Sequence, residues 1–177
     1  MSIDSRNESN DNVVVKFATL QWLFPVVLAL HNLEEALWLP EWANRTGFWR
    51  TPVSPRAFRF ALALLTALAL AVTWQSARSG PQSSWTYLTF GYMTAVLANA
   101  IFPHVALSVS KRSYMPGTAT AGALNLPVLS FLVASALSEG QVSGWKTVAY
   151  AAGVAALLLL PIVVLFKPGG PSLRTGR

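Results

Sequence analysis

The sequence predicts an all-α integral membrane bundle of five transmembrane helices, and three observations carry that expectation. Of 177 residues, 53% are hydrophobic and 11% charged, whereas soluble domains carry about 25% charged residues. The mean hydropathy is +0.45. Residues 60–77, 79–110, 113–138 and 147–166 contain no Asp, Glu, Lys or Arg, and residues 17–33 are interrupted only by His31. Each run approaches or exceeds the roughly 20 apolar residues a helix needs to cross a bilayer.

Residues 1–15 are polar, with Asp4, Glu8 and Asp11, and read as a disordered N-terminal tail. They lack the basic segment and cleavage site of a signal peptide. A single membrane domain is expected over 16–166, with helices at about 16–39, 57–77, 83–110, 117–138 and 145–166. The third helix is long and contains Pro103, so a tilt or kink is expected in it. The fourth begins after Pro116-Gly117. Residues 167–177, rich in Pro, Gly and Arg, read as a disordered basic C-terminal tail. Cysteine is absent, which removes disulfides, thiol catalysis and thiolate metal sites. No internal repeat of the transporter kind is visible.

Charge sets the expected orientation. Nine basic residues fall on one side: Arg45, Arg50, Arg56, Arg59, Lys111, Arg112, Lys167, Arg174 and Arg177. Four fall on the other: Arg6, Lys16, Arg78 and Lys146. The positive-inside rule places the nine in the cytoplasm, so the N-terminus lies outside and the C-terminus inside a multi-pass plasma-membrane protein. Trp38, Trp42, Trp49, Trp74, Trp85 and Trp145 mark helix ends, where a ring with one polar N–H prefers the interface. The net charge of +6 is split among short loops, which argues against a nucleic-acid partner. The bilayer and an apolar small molecule are the expected partners, and no segment signals an oligomeric state.

The chemistry-bearing residues lie inside the expected spans. His31-Asn32-Leu33-Glu34-Glu35 interrupts the first, although a buried charge costs about 2.5–3.5 kcal/mol on insertion scales. His31, Glu34 and Glu35, at i, i+3 and i+4, share one helix face. His104 and Asn125 enter from the third and fourth helices at a similar depth, and Asn99 lies a turn or more deeper than His104. Imidazole and carboxylate suit Zn²⁺, Fe²⁺ or Mn²⁺. The expected metal ligands are His31, Glu35 and His104, with Glu34 as general base for a bound water, or the two glutamates in exchanged roles. Asn99 is expected to orient a ligand or substrate oxygen; Tyr114 either belongs only to the turn that starts the fourth helix or places its hydroxyl to contact substrate at the inner mouth.

Two other readings use the same residues. Without a metal, Glu34 and Glu35 in one apolar pocket would divide into an acid and a base for isomerisation or cyclisation of a lipid-like substrate. Alternatively, the cluster is a transit site in a small metal-ion or solute carrier, or it fixes helix register. Glu34-Glu35 would be a solvated cap if the first helix ended earlier, but Ala36-Leu37-Trp38-Leu39-Pro40 continues apolar beyond the pair.

The five-residue motif resembles the signature of the HXXEE-domain family of small bacterial integral membrane proteins. That family also carries Asn-x-x-x-His and Tyr-x-Pro-Gly motifs, and Tyr114-Met115-Pro116-Gly117 matches the latter. The resemblance spans Leu20 to Phe166 and implies a membrane enzyme or metal-binding protein. The second motif departs, since Asn99-Ala100-Ile101-Phe102-Pro103-His104 has one residue too many. A π-bulge or kink near Ala100–Pro103 is therefore expected to return Asn99 and His104 to one face.

Overall fold

The computed structural model of the protein describes residues 16–49, 52 and 54–165. The tails expected at 1–15 and 167–177 lie outside them. The described residues are helical, without a β-strand: α1 (Phe17–Leu20), α2 (Leu23–Thr46), α3 (Pro55–Ser79), α4 (Ser84–Asn99), α5 (Ala106–Lys111), α6 (Thr118–Thr120), α7 (Leu126–Ser138) and α8 (Gly144–Leu165). Two π-helical turns, Ala100–Val105 and Ala121–Asn125, join α4 to α5 and α6 to α7.

Local chemistry sets the helix ends. Gly47 closes α2 in the left-handed conformation, φ 64°, as glycine commonly does after a last helical turn. Ser54 caps α3 through Ala57 N–H, with Pro55 in the first turn, where its missing N–H costs nothing. Ser83 caps α4, accepting from Thr86 N–H at 3.1 Å. The first N–H of α1 is satisfied from elsewhere in the chain: both Glu139 oxygens stand 3.0 Å from Phe17 N.

The helix expected at 16–39 starts with a break after α1 and runs on to Thr46, through Pro40. A proline inside a helix leaves the carbonyl four residues earlier without its usual donor. Here that carbonyl is Ala36 O, and Arg59 Nε of α3 donates to it at 3.0 Å. Asn32 fastens the same two helices higher up, donating from Nδ2 to Leu62 O at 3.2 Å and to Thr66 Oγ1 at 2.8 Å.

α4 is the hub of the bundle, packing against α3, α7 and α8, while α2 packs against α3 and α7. Phe17, Phe24, Tyr92, Met93, Leu129 and Leu132 form much of the core. Tyr92, although buried, keeps its hydroxyl satisfied by donating to Leu65 O at 2.8 Å. Gly91 lets α8 approach closely, because a Cβ there would meet Tyr150 O at 2.7 Å.

Among the described residues, length and composition make three helices apolar enough to cross a membrane, rather than the five expected: Pro55–Ser79, Ser84–Lys111 and Thr118–Ser138. α2 carries His31, Asn32, Glu34, Glu35, Glu41 and Arg45, which lower its hydropathy. α8 extends beyond the residues whose side chains are described. The polarity of α2 is inverted relative to a soluble helix: His31, Asn32, Glu34 and Glu35 are buried, while Leu30, Leu33 and Leu37 are 45–54% exposed.

Candidate metal centre

The site forms where α2 meets the first π turn and the connection from α5 to α6. α2 presents His31, Glu34 and Glu35 on its inward face. The π turn presents His104. Pro103 has no N–H for a helical bond to Asn99, and Phe102 leaves helical geometry at φ −131°, ψ 123°. The kink expected over Ala100–Pro103 is present. It leaves Phe102 65% exposed and His104 buried at 1%.

The α5–α6 connection is tied to this turn by short polar contacts. Thr118 Oγ1 donates to His104 O at 3.2 Å and lies 2.7 Å from Ser108 Oγ. Met115 N–H donates to Ser108 Oγ at 3.2 Å. Gly117 has φ +96°, and a Cβ there would stand 2.5 Å from His104 Cε1 and 2.7 Å from Nδ1. Glycine is required twice, by the backbone conformation and by the imidazole against it.

Three of the expected residues converge. His104 Nε2 lies 3.0 Å from Glu35 Oε1, and His31 Nε2 lies 3.9 Å from the same oxygen. The two imidazoles meet edge-on, with centroids 4.9 Å apart. One ligand atom from each residue falls within 4.8 Å of the others, and all three residues are buried. Tetrahedral ligands at 2.0–2.1 Å from zinc stand roughly 3.3–3.4 Å apart, so the 3.0 and 3.9 Å separations bracket the value a small divalent cation needs. His31 Nε2 and His104 Nδ1 are buried without a hydrogen-bond partner. Buried imidazole nitrogens ordinarily have one. The orphaned His31 Nε2 faces Glu35, so the donor set fits a cation.

Glu34 stands apart from this trio. It accepts from Gly117 N–H at 2.7 Å, Thr120 N–H at 2.9 Å, Thr120 Oγ1 at 2.6 Å and the Tyr114 hydroxyl. With four donors it anchors the α5–α6 connection to α2. The Tyr114 hydroxyl is pushed up to about 12, first by burial and then by the Glu34 carboxylate it donates to. It therefore remains a donor at physiological pH, although the residue as a whole is 55% exposed.

Asn99 precedes the π turn, half-buried, and makes no hydrogen bond to His31, Glu34, Glu35 or His104 among the described residues. Its expected orienting role has no counterpart in these contacts. Asn125 closes the second π turn at 0% exposure, with neither side-chain polar atom partnered. Sequence reasoning missed Thr120 altogether. Its hydroxyl lies 2.9 Å from His31 Nδ1, a contact across 89 positions that no local pattern announces.

Comparison with known proteins agrees with the motif. The family model described as proteins of unknown function with an HXXEE motif matches residues 22–133. The chain is 31% identical over 147 residues to the uncharacterized protein YrkK of Bacillus subtilis (strain 168), covering 82% of this chain and 92% of that one. No solved structure matches. The matched region contains the His31–Glu35 motif, the π turn with His104 and the Tyr114–Gly117 connection, and on this ground the chain belongs to the HXXEE family.

Proposed function

We propose that this protein is a multi-pass plasma-membrane enzyme in which His31, Glu35 and His104 hold one divalent cation, Zn²⁺, Fe²⁺ or Mn²⁺, for hydrolysis or isomerisation of a lipid-like small molecule. The observation that carries the reading is the meeting of three buried ligand atoms from two helices, with His31 Nε2 unpartnered. A cation held there would act as a Lewis acid toward water or a substrate oxygen.

The membrane part of the proposal keeps five spans, with the N-terminus outside and the C-terminus inside. It is supported by the inverted polarity of α2, since buried polar groups facing the bundle and apolar residues facing outward are what lipid surroundings select. α2 and α8, with 24 and 22 residues, span about 36 and 33 Å at 1.5 Å per residue. Both are long enough for a hydrocarbon core of about 30 Å.

Without a cation, proton handling would instead fall to Glu35 and His104, whose Oε1 and Nε2 lie 3.0 Å apart. Each Glu34 oxygen already accepts from one backbone N–H, Gly117 at Oε1 and Thr120 at Oε2, so Glu34 serves as the anchor of the connection rather than as a base. Tyr114, the exposed member, stands at the rim and orients Glu34 from there.

The test is an assay of purified protein in detergent, loaded separately with Zn²⁺, Fe²⁺ and Mn²⁺, against ester- and isoprenoid-type lipids. Turnover that requires the metal and disappears in folded Glu35→Gln supports the reading. Turnover undiminished by a chelator contradicts metal dependence and favours carboxylate–imidazole acid–base chemistry.

A further inference from the structure

We infer that Thr120 is a positioning residue that relays the Glu34 carboxylate to His31, fixing His31 as the Nδ1–H tautomer with its Nε2 lone pair turned toward Glu35 and His104. The purpose of this relay rests on the metal reading, while the relay itself stands on hydrogen-bond geometry.

Donor counting gives the direction of each bond. Glu34 receives two fixed backbone N–H groups, from Gly117 and Thr120, and the Tyr114 hydroxyl. A backbone N–H can only donate, so both oxygens already act as acceptors, Oε1 toward Gly117 and Oε2 toward Thr120. The single hydroxyl proton of Thr120 goes to Glu34 Oε2, 2.6 Å away, in preference to Gly117 O at 3.3 Å. Its oxygen is then left to accept, and the group 2.9 Å from it is His31 Nδ1. A neutral imidazole that donates from Nδ1 carries its lone pair on Nε2. That nitrogen is buried, without a hydrogen-bond partner, and 3.9 Å from Glu35 Oε1. Metal-ligating histidines are commonly oriented in this way by a second hydrogen bond. Here a threonine carries the bond between carboxylate and imidazole.

The chain has two histidines, which makes the tautomer directly readable. Metal-free protein with ¹⁵N-labelled histidine is examined by NMR above the ordinary imidazole pKa of about 6.5. His104→Gln leaves one ring for assignment. The expected result is Nδ1–H at His31 in wild type and in Thr120→Ser, and loss of that preference in Thr120→Val. Zn²⁺ affinity should fall about 10–100-fold in Thr120→Val, the usual effect of removing such a partner, and be restored in Thr120→Ser. An Nε2–H tautomer in wild type, or an unchanged tautomer in Thr120→Val, overturns the relay. If Thr120→Val does not fold, the wild-type and Thr120→Ser spectra decide. Nδ1–H in a wild type that binds no Zn²⁺ supports the relay and removes the metal reading. Nε2–H in a protein that binds Zn²⁺ does the reverse.

Discussion

Glu35 and His104 are 69 positions apart in sequence, yet Glu35 Oε1 lies 3.0 Å from His104 Nε2 in a site where neither residue is more than 8% exposed. Two devices hold that contact. Pro103 turns the imidazole inward from the π turn, and Gly117 leaves room for it.

Gly117 is consequently the most sensitive position of the Tyr-x-Pro-Gly motif. Gly117→Ala meets a strained positive φ, costing of order 1–3 kcal/mol, and its Cβ would displace the His104 ring. We expect lower thermal stability in detergent and a loss of bound metal, measured on the same sample. A variant with wild-type stability and metal content would refute the packing role.

Pro40 and Arg59 should be coupled. Arg59→Met removes the donor to Ala36 O, an exposed contact, and is expected to cost about 0.5–1.5 kcal/mol, the net worth of an ordinary hydrogen bond. Pro40→Ala restores a backbone N–H that can serve the same carbonyl. The double variant should therefore recover much of the loss, and a double-mutant cycle on unfolding midpoints reads the coupling. Strict additivity would show that the Arg59 contact does not compensate the proline.

Orientation is testable because the chain lacks cysteine, which gives labelling a clean background. The five-span topology puts Ser143 outside and Ser113 inside. A membrane-impermeant maleimide applied to intact cells should label Ser143→Cys and not Ser113→Cys. Labelling with the opposite preference would reverse the bundle, and equal labelling would refute the span count.

The site was legible in the sequence to the extent that it depends on helical spacing. His31 and Glu35 at i and i+4, and a second histidine beside a proline, are enough to nominate the trio. Sequence spacing puts Glu34 and Glu35 on the same inward face but does not show their different partners: Glu34 takes the Gly117, Thr120 and Tyr114 donors, and Glu35 meets His104. Neighbouring side chains diverge by about 100° around the axis, so the two carboxylates find different partners. The end of the first helix was placed before Pro40 because the rescuing donor belongs to Arg59 on another helix. Thr120 and the fit of Gly117 against His104 depend on tertiary contacts with no local signature. Asn99 is nominated by its place inside the third expected span, but no hydrogen bond among the described residues joins it to the cluster.

The central claim is that this buried trio holds a metal, and elemental analysis of the detergent-purified protein tests it most directly. Wild type, His31→Ala, Glu35→Gln and His104→Ala would be compared after reconstitution with Zn²⁺, Fe²⁺ and Mn²⁺. The account predicts about one equivalent of one metal per chain in wild type, lost in each variant while the helical fold is kept. A folded wild type that holds no metal after reconstitution, or folded variants that keep theirs, would contradict it.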